Sequence, residues 1–174
     1  MKPITIAYAS RFGSTAKLAE QLAVGLEGSG AEPQLIDVAA KTSAGPYPIV
    51  ILTAIIWDRP LPAMRHWIMA NSELVRQRTV ACGVVCGSAG VRENGGMVYA
   101  RQLAKRIGRP DVIQFALSGQ IPSRKSMQVW EWWALRSFAQ IMRKPQLFTI
   151  SADAVKARAV GTQIGTKIFS AAQQ

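Results

Sequence analysis

The segment Ile49-Val50-Ile51-Leu52-Thr53-Ala54-Ile55-Ile56 restricts the fold more than any other part of this chain. It is apolar at almost every position, not at every second one. A strand on the surface of a sheet alternates apolar and polar residues, because its side chains point in turn to the core and to water. A strand without that alternation is covered on both faces, as in the middle of a parallel sheet with helices on each side.

The rest of the chain fits around such a strand. Residues 3–8, 33–38, 79–86 and 111–119 read as strands 1, 2, 4 and 5, with 49–56 as the third. Helical spacing runs from Thr15 to Glu27 through Leu18, Leu22 and Leu26, and "GSG" at 28–30 ends it. Residues 41–48 form a turn-rich connection. Further helices are expected over 62–75, with Pro62 near its start, and over 97–108. Repeated β-α-β order predicts an α/β fold with a parallel sheet and right-handed crossovers. A length of 174 residues suits one domain with a sizeable core, so residues 1–174 are read as a single domain.

In a doubly wound sheet, ligands bind outside the carboxyl ends of the strands, where the strand order reverses. Three segments reach that edge: Ser10–Thr15, Ala54–Arg59 and Gly87–Gly96. They are expected to form one site. The first is the most informative. A loop that leaves a parallel strand and enters a helix presents free backbone N–H groups and positive dipole potential. Ser10, Ser14 and Thr15 add hydroxyls, and Gly13 lets the backbone turn close to a ligand. Together they describe a phosphate cradle. Neither G-x-G-x-x-G nor G-x-x-x-x-G-K-[ST] is present, so this is not a dinucleotide or Walker A loop.

Other chemistry is sparse. No catalytic acid–base set, nucleophile triad or metal cluster can be assembled, and the one histidine, His66, reads as a surface or helix-packing residue. Cys82 and Cys86 would lie about 13 Å apart on one face of a strand. That is too far for a mutual disulfide or a shared metal, so they read as small core residues in a reduced compartment. No signal peptide or spanning segment is evident. Lys and Arg number 21 against 10 Asp and Glu, a net charge of +11 that favours anionic partners without choosing among them.

After strand 5 the alternation is interrupted by residues 120–145, followed by a strand-like 146–150 and a last helix with Ser151 as N-cap and Asp153 in its first turn. The simplest account is a fifth strand split by an insert. Within it, Trp130, Trp133, Ala134, Ser137, Phe138 and Ile141 fall on one helical face, broadened by Trp132, Leu135, Ala139 and Met142. Five cations, Arg124, Lys125, Arg136, Arg143 and Lys144, stand against the single carboxylate of Glu131. Tryptophans with cations on a short helix are the composition of an interfacial membrane helix. The same composition suits packing on the sheet or on a second subunit. Nucleic acid is the weakest reading, since no helix-turn-helix or RNA-binding motif occurs.

Ser10-Arg11-Phe12-Gly13-Ser14-Thr15 resembles the FMN-phosphate loop of flavodoxins, and its Arg–aromatic–Gly–Ser–Thr form is most similar to the flavodoxin-like menaquinone-dependent protoporphyrinogen IX dehydrogenases. "AIIWDRPLPAMRHWI" stands where that family has its flavin loop, and residues 116–144 resemble its aromatic, basic insert. The resemblance implies a five-stranded sheet in the order 2-1-3-4-5 with FMN as cofactor. The phosphate would lie on Ser10, Arg11, Phe12, Gly13, Ser14 and Thr15. The flavin ring would lie between Ala54, Ile55, Ile56, Trp57 and Asp58 on one side and Gly87, Ser88, Ala89 and Gly90 on the other. Trp57 would stack on the ring. Arg59, Arg124, Lys125, Trp130, Trp133 and Arg136 would meet substrate or membrane.

The activity implied is oxidation of protoporphyrinogen IX or a related tetrapyrrole with electrons passed to a quinone, in the cytoplasm at the inner face of the cell membrane. Two alternatives remain: an electron carrier docking with a redox partner, and a flavodoxin-fold binding module without FMN. Two segments depart from the family: Trp57-Asp58-Arg59-Pro60 replaces a small residue or arginine followed by glycine, and "CGSAGVREN" lacks the aromatic of many flavodoxins.

Overall fold

A computed structural model describes residues 2–41, 43–90, 95–120, 127–141 and 152–170. The strands are β1 (Lys2–Ala9), β2 (Ala31–Asp37), β3 (Ile49–Ile56), β4 (Arg59–Pro60), β5 (Thr79–Cys86) and β6 (Ile113–Ser118). The helices are α1 (Ser14–Glu27), α2 (Pro62–Ala70), α3 (Ser72–Arg78), α4 (Met97–Arg106), α5 (Val129–Ile141) and α6 (Ala154–Ser170). The parallel strands run in the order β2-β1-β3-β5-β6, which is the expected 2-1-3-4-5 once the short β4 is set aside.

The alternation of side chains along β3 confirms why its sequence is apolar throughout. Ile49 and Ile51 join the core under α2, α3 and α4, with Met64, Trp67, Val75 and Leu103. Val50 and Leu52 join the core on the other face, with Leu18, Leu22 and Leu26 of α1 and Ile164 of α6. Cys82 and Cys86 are free, buried and on the same face of β5, as their spacing requires. Burial alone pushes the Cys82 thiol up to about 12.

On the second face, α6 packs against α1 with almost no space between backbones. A Cβ at Gly161 would come within 2.2 Å of the Leu22 carbonyl oxygen, and one at Gly25 within 2.1 Å of the Arg158 carbonyl oxygen. Only glycines permit that approach. Thr162 Oγ1 donates to the Gly25 carbonyl at 3.1 Å across the seam.

Several expectations need correction. The helix read over 62–75 is two helices, because Asn71 leaves helical geometry (φ −116°, ψ 25°) and its Nδ2 donates to the Trp67 carbonyl at 2.9 Å. Strand 2 starts earlier, at Ala31, and strand 5 is shorter, Ile113–Ser118. The cap of the last helix is Asp153, whose Oδ1 accepts from Lys156 N–H at 2.9 Å. Ser151, Arg124, Lys125, the strand-like 146–150 and the splitting of strand 5 lie outside the described residues. The chain does return where it left: Asp153 N–H donates to the Ser118 carbonyl at 3.3 Å, joining the start of α6 to the end of β6.

Candidate functional site

The adjacency of β1, β3 and β5 brings the ends of all three strands to one edge, so Ser10–Thr15, Ala54–Arg59 and Gly87–Gly90 are neighbours there. In the first loop, Gly13 holds φ +82° with nothing within 4 Å of its would-be Cβ, leaving the backbone open to an approaching ligand. Gly13 is the N-cap of α1, and no side chain caps the helix. Its first N–H groups are therefore left to a ligand or water. Ser10 Oγ is buried without a hydrogen-bond partner among the described residues. Such an atom is costly unless something accepts its proton or donates to it. Ser14 Oγ accepts from Gln120 N–H at 3.0 Å, which leaves its own proton to give. Thr15 is buried beneath the loop, and Phe12 is half-buried.

Arg11 reaches from the loop to the insert. Its Nη2 lies 2.6 Å from Glu131 Oε1 on α5, and its guanidinium rests 5.0 Å over the Phe12 ring. The same Glu131 accepts from Gln128 N–H at 3.3 Å. Glu131 is only 5% exposed. The lone carboxylate of the insert thus faces inward and ties α5 to the phosphate loop.

The second loop is a two-residue hairpin. Ile56 pairs with Arg59 across the turn, and Trp57 (φ 49°) and Asp58 (φ 60°) both take left-handed backbone. This is the type I′ pattern, which normally uses Asn or Gly. A bulky residue in that region costs about 1–3 kcal/mol, so the surrounding structure has to hold it there. Trp57 projects from the tip at 58% exposure. Asp58 is held by the Tyr99 hydroxyl of α4, which donates to its Oδ1. That bond, followed by burial, pushes the Tyr99 phenol up to about 12. Asp58, Tyr99, Gln102 and Arg106 line a small groove between hairpin and α4. Arg59, expected in a loop, is an exposed residue of β4.

In the third loop, Gly87–Gly90 forms a single 3-10 turn, with Gly87, Ser88 and Ala89 half-buried. Ser88 Oγ lies 3.2 Å from Cys86 Sγ, and a Cβ on Gly96 would come within 2.7 Å of that sulfur. Cys86 is therefore covered and does not line the edge. Residues 91–94 lie outside the described residues.

Trp130 and Trp133, on the helical face read in the insert, point outward; the side chains of Phe138 and Ile141 lie outside the described residues. Trp130 and Trp133 are each 59% exposed, Val129 68%, and Arg136 and Ser137 are exposed beside them. Trp132 is half-buried. Among the described residues, no helix is long and apolar enough to cross a membrane, and no group of His, Cys, Asp or Glu can hold a metal.

Sequence reasoning missed Tyr99, Gln120 and Glu131 as parts of this edge. Glu131 alone carried a signal, as the single acid in a basic, aromatic segment.

A family model described as a flavodoxin domain matches residues 5–131. The fold is similar to that of the flavodiiron protein from Giardia intestinalis, at 10% identity and TM-score 0.58, covering 98% of this chain and 37% of that one. A flavodoxin from the domain Archaea gives 13% identity and TM-score 0.53, covering 95% and 98%. A flavodoxin, WrbA-like protein from Agrobacterium tumefaciens gives 16% and 0.51, covering 95% and 96%. The chain spans little more than a third of the Giardia flavodiiron protein's length. A search of curated protein sequences returns no match. The open glycine turn, the uncapped helix and the orphaned Ser10 hydroxyl fit the phosphate of a flavin mononucleotide. With most of its length matched by the family model, this chain belongs to the flavodoxin domain family, whose cofactor is FMN.

Proposed function

We propose that this protein is an FMN-dependent oxidoreductase that oxidises protoporphyrinogen IX or a related tetrapyrrole and passes the electrons to a quinone at an anionic membrane surface. The observation that carries this reading is the outward Trp130–Trp133 face on a helix tied to the phosphate loop. Two exposed tryptophans beside Arg136 suit the boundary between headgroups and acyl chains. A net charge of +11 favours anionic lipid and the propionates of a tetrapyrrole. The Arg–aromatic–Gly–Ser–Thr loop adds the resemblance to protoporphyrinogen dehydrogenases.

The bound flavin would supply the two-electron chemistry. The chain's own residues would do the rest. Ser10, Ser14 and the first N–H groups of α1 would hold the phosphate. Trp57 would cover one face of the ring and keep water from it. The 3-10 turn at Gly87–Gly90 would bring backbone N–H groups to the ring edge. Arg59 would meet a substrate carboxylate or negative charge on the ring. The site would orient the reactants, exclude water and leave bond making to the cofactor.

The test is anaerobic. Protein loaded with FMN is mixed with protoporphyrinogen IX, and the visible absorbance of the flavin is followed before and after a menaquinone analogue is added. Bleaching by the tetrapyrrole and recovery with the quinone is expected. Colourless protein that refuses FMN removes the whole reading. Bound flavin that ignores the tetrapyrrole yet exchanges electrons with a ferredoxin-type protein replaces it with an electron carrier. Sedimentation with anionic liposomes at low salt addresses the surface separately: protein that stays in the supernatant rules out the membrane contact.

A further inference from the structure

Glu131 sits where an unpaired carboxylate is expensive, at 5% exposure, and its charge is met by Arg11 Nη2 at 2.6 Å. Arg11 belongs to the loop that receives the phosphate. Its side chain keeps 40% exposure, and the ion pair engages one of its terminal nitrogens. A guanidinium carries five N–H donors in a planar fork, so one edge can hold a carboxylate while another meets phosphate oxygens. Lysine has no such second edge.

We propose that Arg11 bridges Glu131 and the FMN phosphate, so that the insert helix α5 is part of the phosphate site. The inference rests on the FMN reading above. Its consequence is a coupling. A phosphate on the loop adds a second anion to Arg11 and fixes the guanidinium that holds Glu131. Seating of α5 and binding of the phosphate then strengthen each other by the same factor. The Trp130–Trp133 face, carried on the same helix, is held more firmly in its orientation when the cofactor is in place. Glu131 is here a positioning residue: it acts on the phosphate through Arg11.

The experiment uses the full chain. Amide hydrogen exchange over residues 127–141 is measured without flavin, with FMN and with riboflavin, which has the same ring and no phosphate. FMN is expected to slow exchange in α5 about tenfold, and riboflavin to leave it unchanged. In parallel, Glu131→Gln is expected to weaken FMN about tenfold while riboflavin affinity stays within about twofold. Arg11→Lys, which keeps the charge but not the fork, is expected to lose most of the α5 protection.

FMN that binds while α5 exchanges as before, or faster, overturns the bridge alone. So does Glu131→Gln with unchanged FMN affinity. Failure of FMN to bind the wild-type chain overturns the cofactor reading and the bridge with it.

Discussion

Helices α5 and α6 stand on either side of residues 142–151, and both come back to the first β-α unit, yet they are attached by different physics. α6 meets α1 through glycines, with backbone against backbone at Gly25 and Gly161. Among the described residues, α5 meets the loop in front of α1 through the Arg11–Glu131 ion pair, and it turns two tryptophans away from the body. A seam of main-chain atoms has no side chain to rearrange. An ion pair with an arginine that is 40% exposed can be loosened, shared or exchanged. The contrast separates a helix that completes the fold from a helix that the fold displays.

The strongest way to break this contrast is Gly161→Val. Its Cβ would lie 2.2 Å from the Leu22 carbonyl oxygen, so the two helices must part. A loss of about 3 kcal/mol is expected. In a thermal melt that is a fall of roughly 6–12 °C for a domain of this size. An unchanged melting temperature would mean that the seam is not tight.

Arg11→Ala comes next, because it leaves the buried Glu131 carboxylate without its partner. The expected response is local. Limited proteolysis within α5 should accelerate about tenfold, while the melting temperature falls by less than for Gly161→Val. Equal losses of melting temperature would show that α5 is as integral to the fold as α6.

The β3–β4 hairpin sharpens the comparison on a smaller scale, since one hydrogen bond holds Asp58 to α4. Tyr99→Phe should cost about 1 kcal/mol in denaturant unfolding. The phenol rises from 10.0 to about 12 in the folded chain. Its contribution is therefore complete below pH 10 and is lost as the pH climbs toward 12. The alkaline loss should be smaller in Tyr99→Phe, where the buried Cys82 thiol still contributes its own.

The smallest effect has the opposite sign. Trp57→Gly relieves a left-handed tryptophan at φ 49° and should stabilise the chain by up to about 1 kcal/mol. FMN affinity, measured by fluorescence quenching, should fall in the same variant, as stability and function separate at a strained residue.

Residues whose role depends on local spacing were readable in the sequence. The two-sided burial of β3, the leucines of α1 and the open turn at Gly13 all follow from periods of two or 3.6 and from glycine placement, whereas the strand order came with the resemblance to flavodoxins. What escaped depends on partners far away in the chain. Periodicity groups Trp130 and Trp133 on one face of a helix but does not say which way that face points. The answer lies in Arg11, which draws Glu131 inward. The hairpin at Trp57-Asp58 was hidden because the pair lacks the Asn-Gly or Asp-Gly signal of such turns, and its support comes from Tyr99. Likewise, "MANSELV" keeps a helical rhythm through Asn71, where the chain nonetheless breaks. The role of Gly161 is invisible without Leu22 beside it.

The 3.3 Å hydrogen bond from Asp153 N–H to the Ser118 carbonyl has a consequence for the history of the chain. The end of β6 and the start of α6 are fastened together there. A closed detour of this kind can be shortened, extended or exchanged while the sheet keeps its register, since each doubling of loop length adds only about 0.6 kcal/mol of closure entropy. The end of β6 and the start of α6 are thus pinned to each other, so the length of chain between them can change while both keep their places.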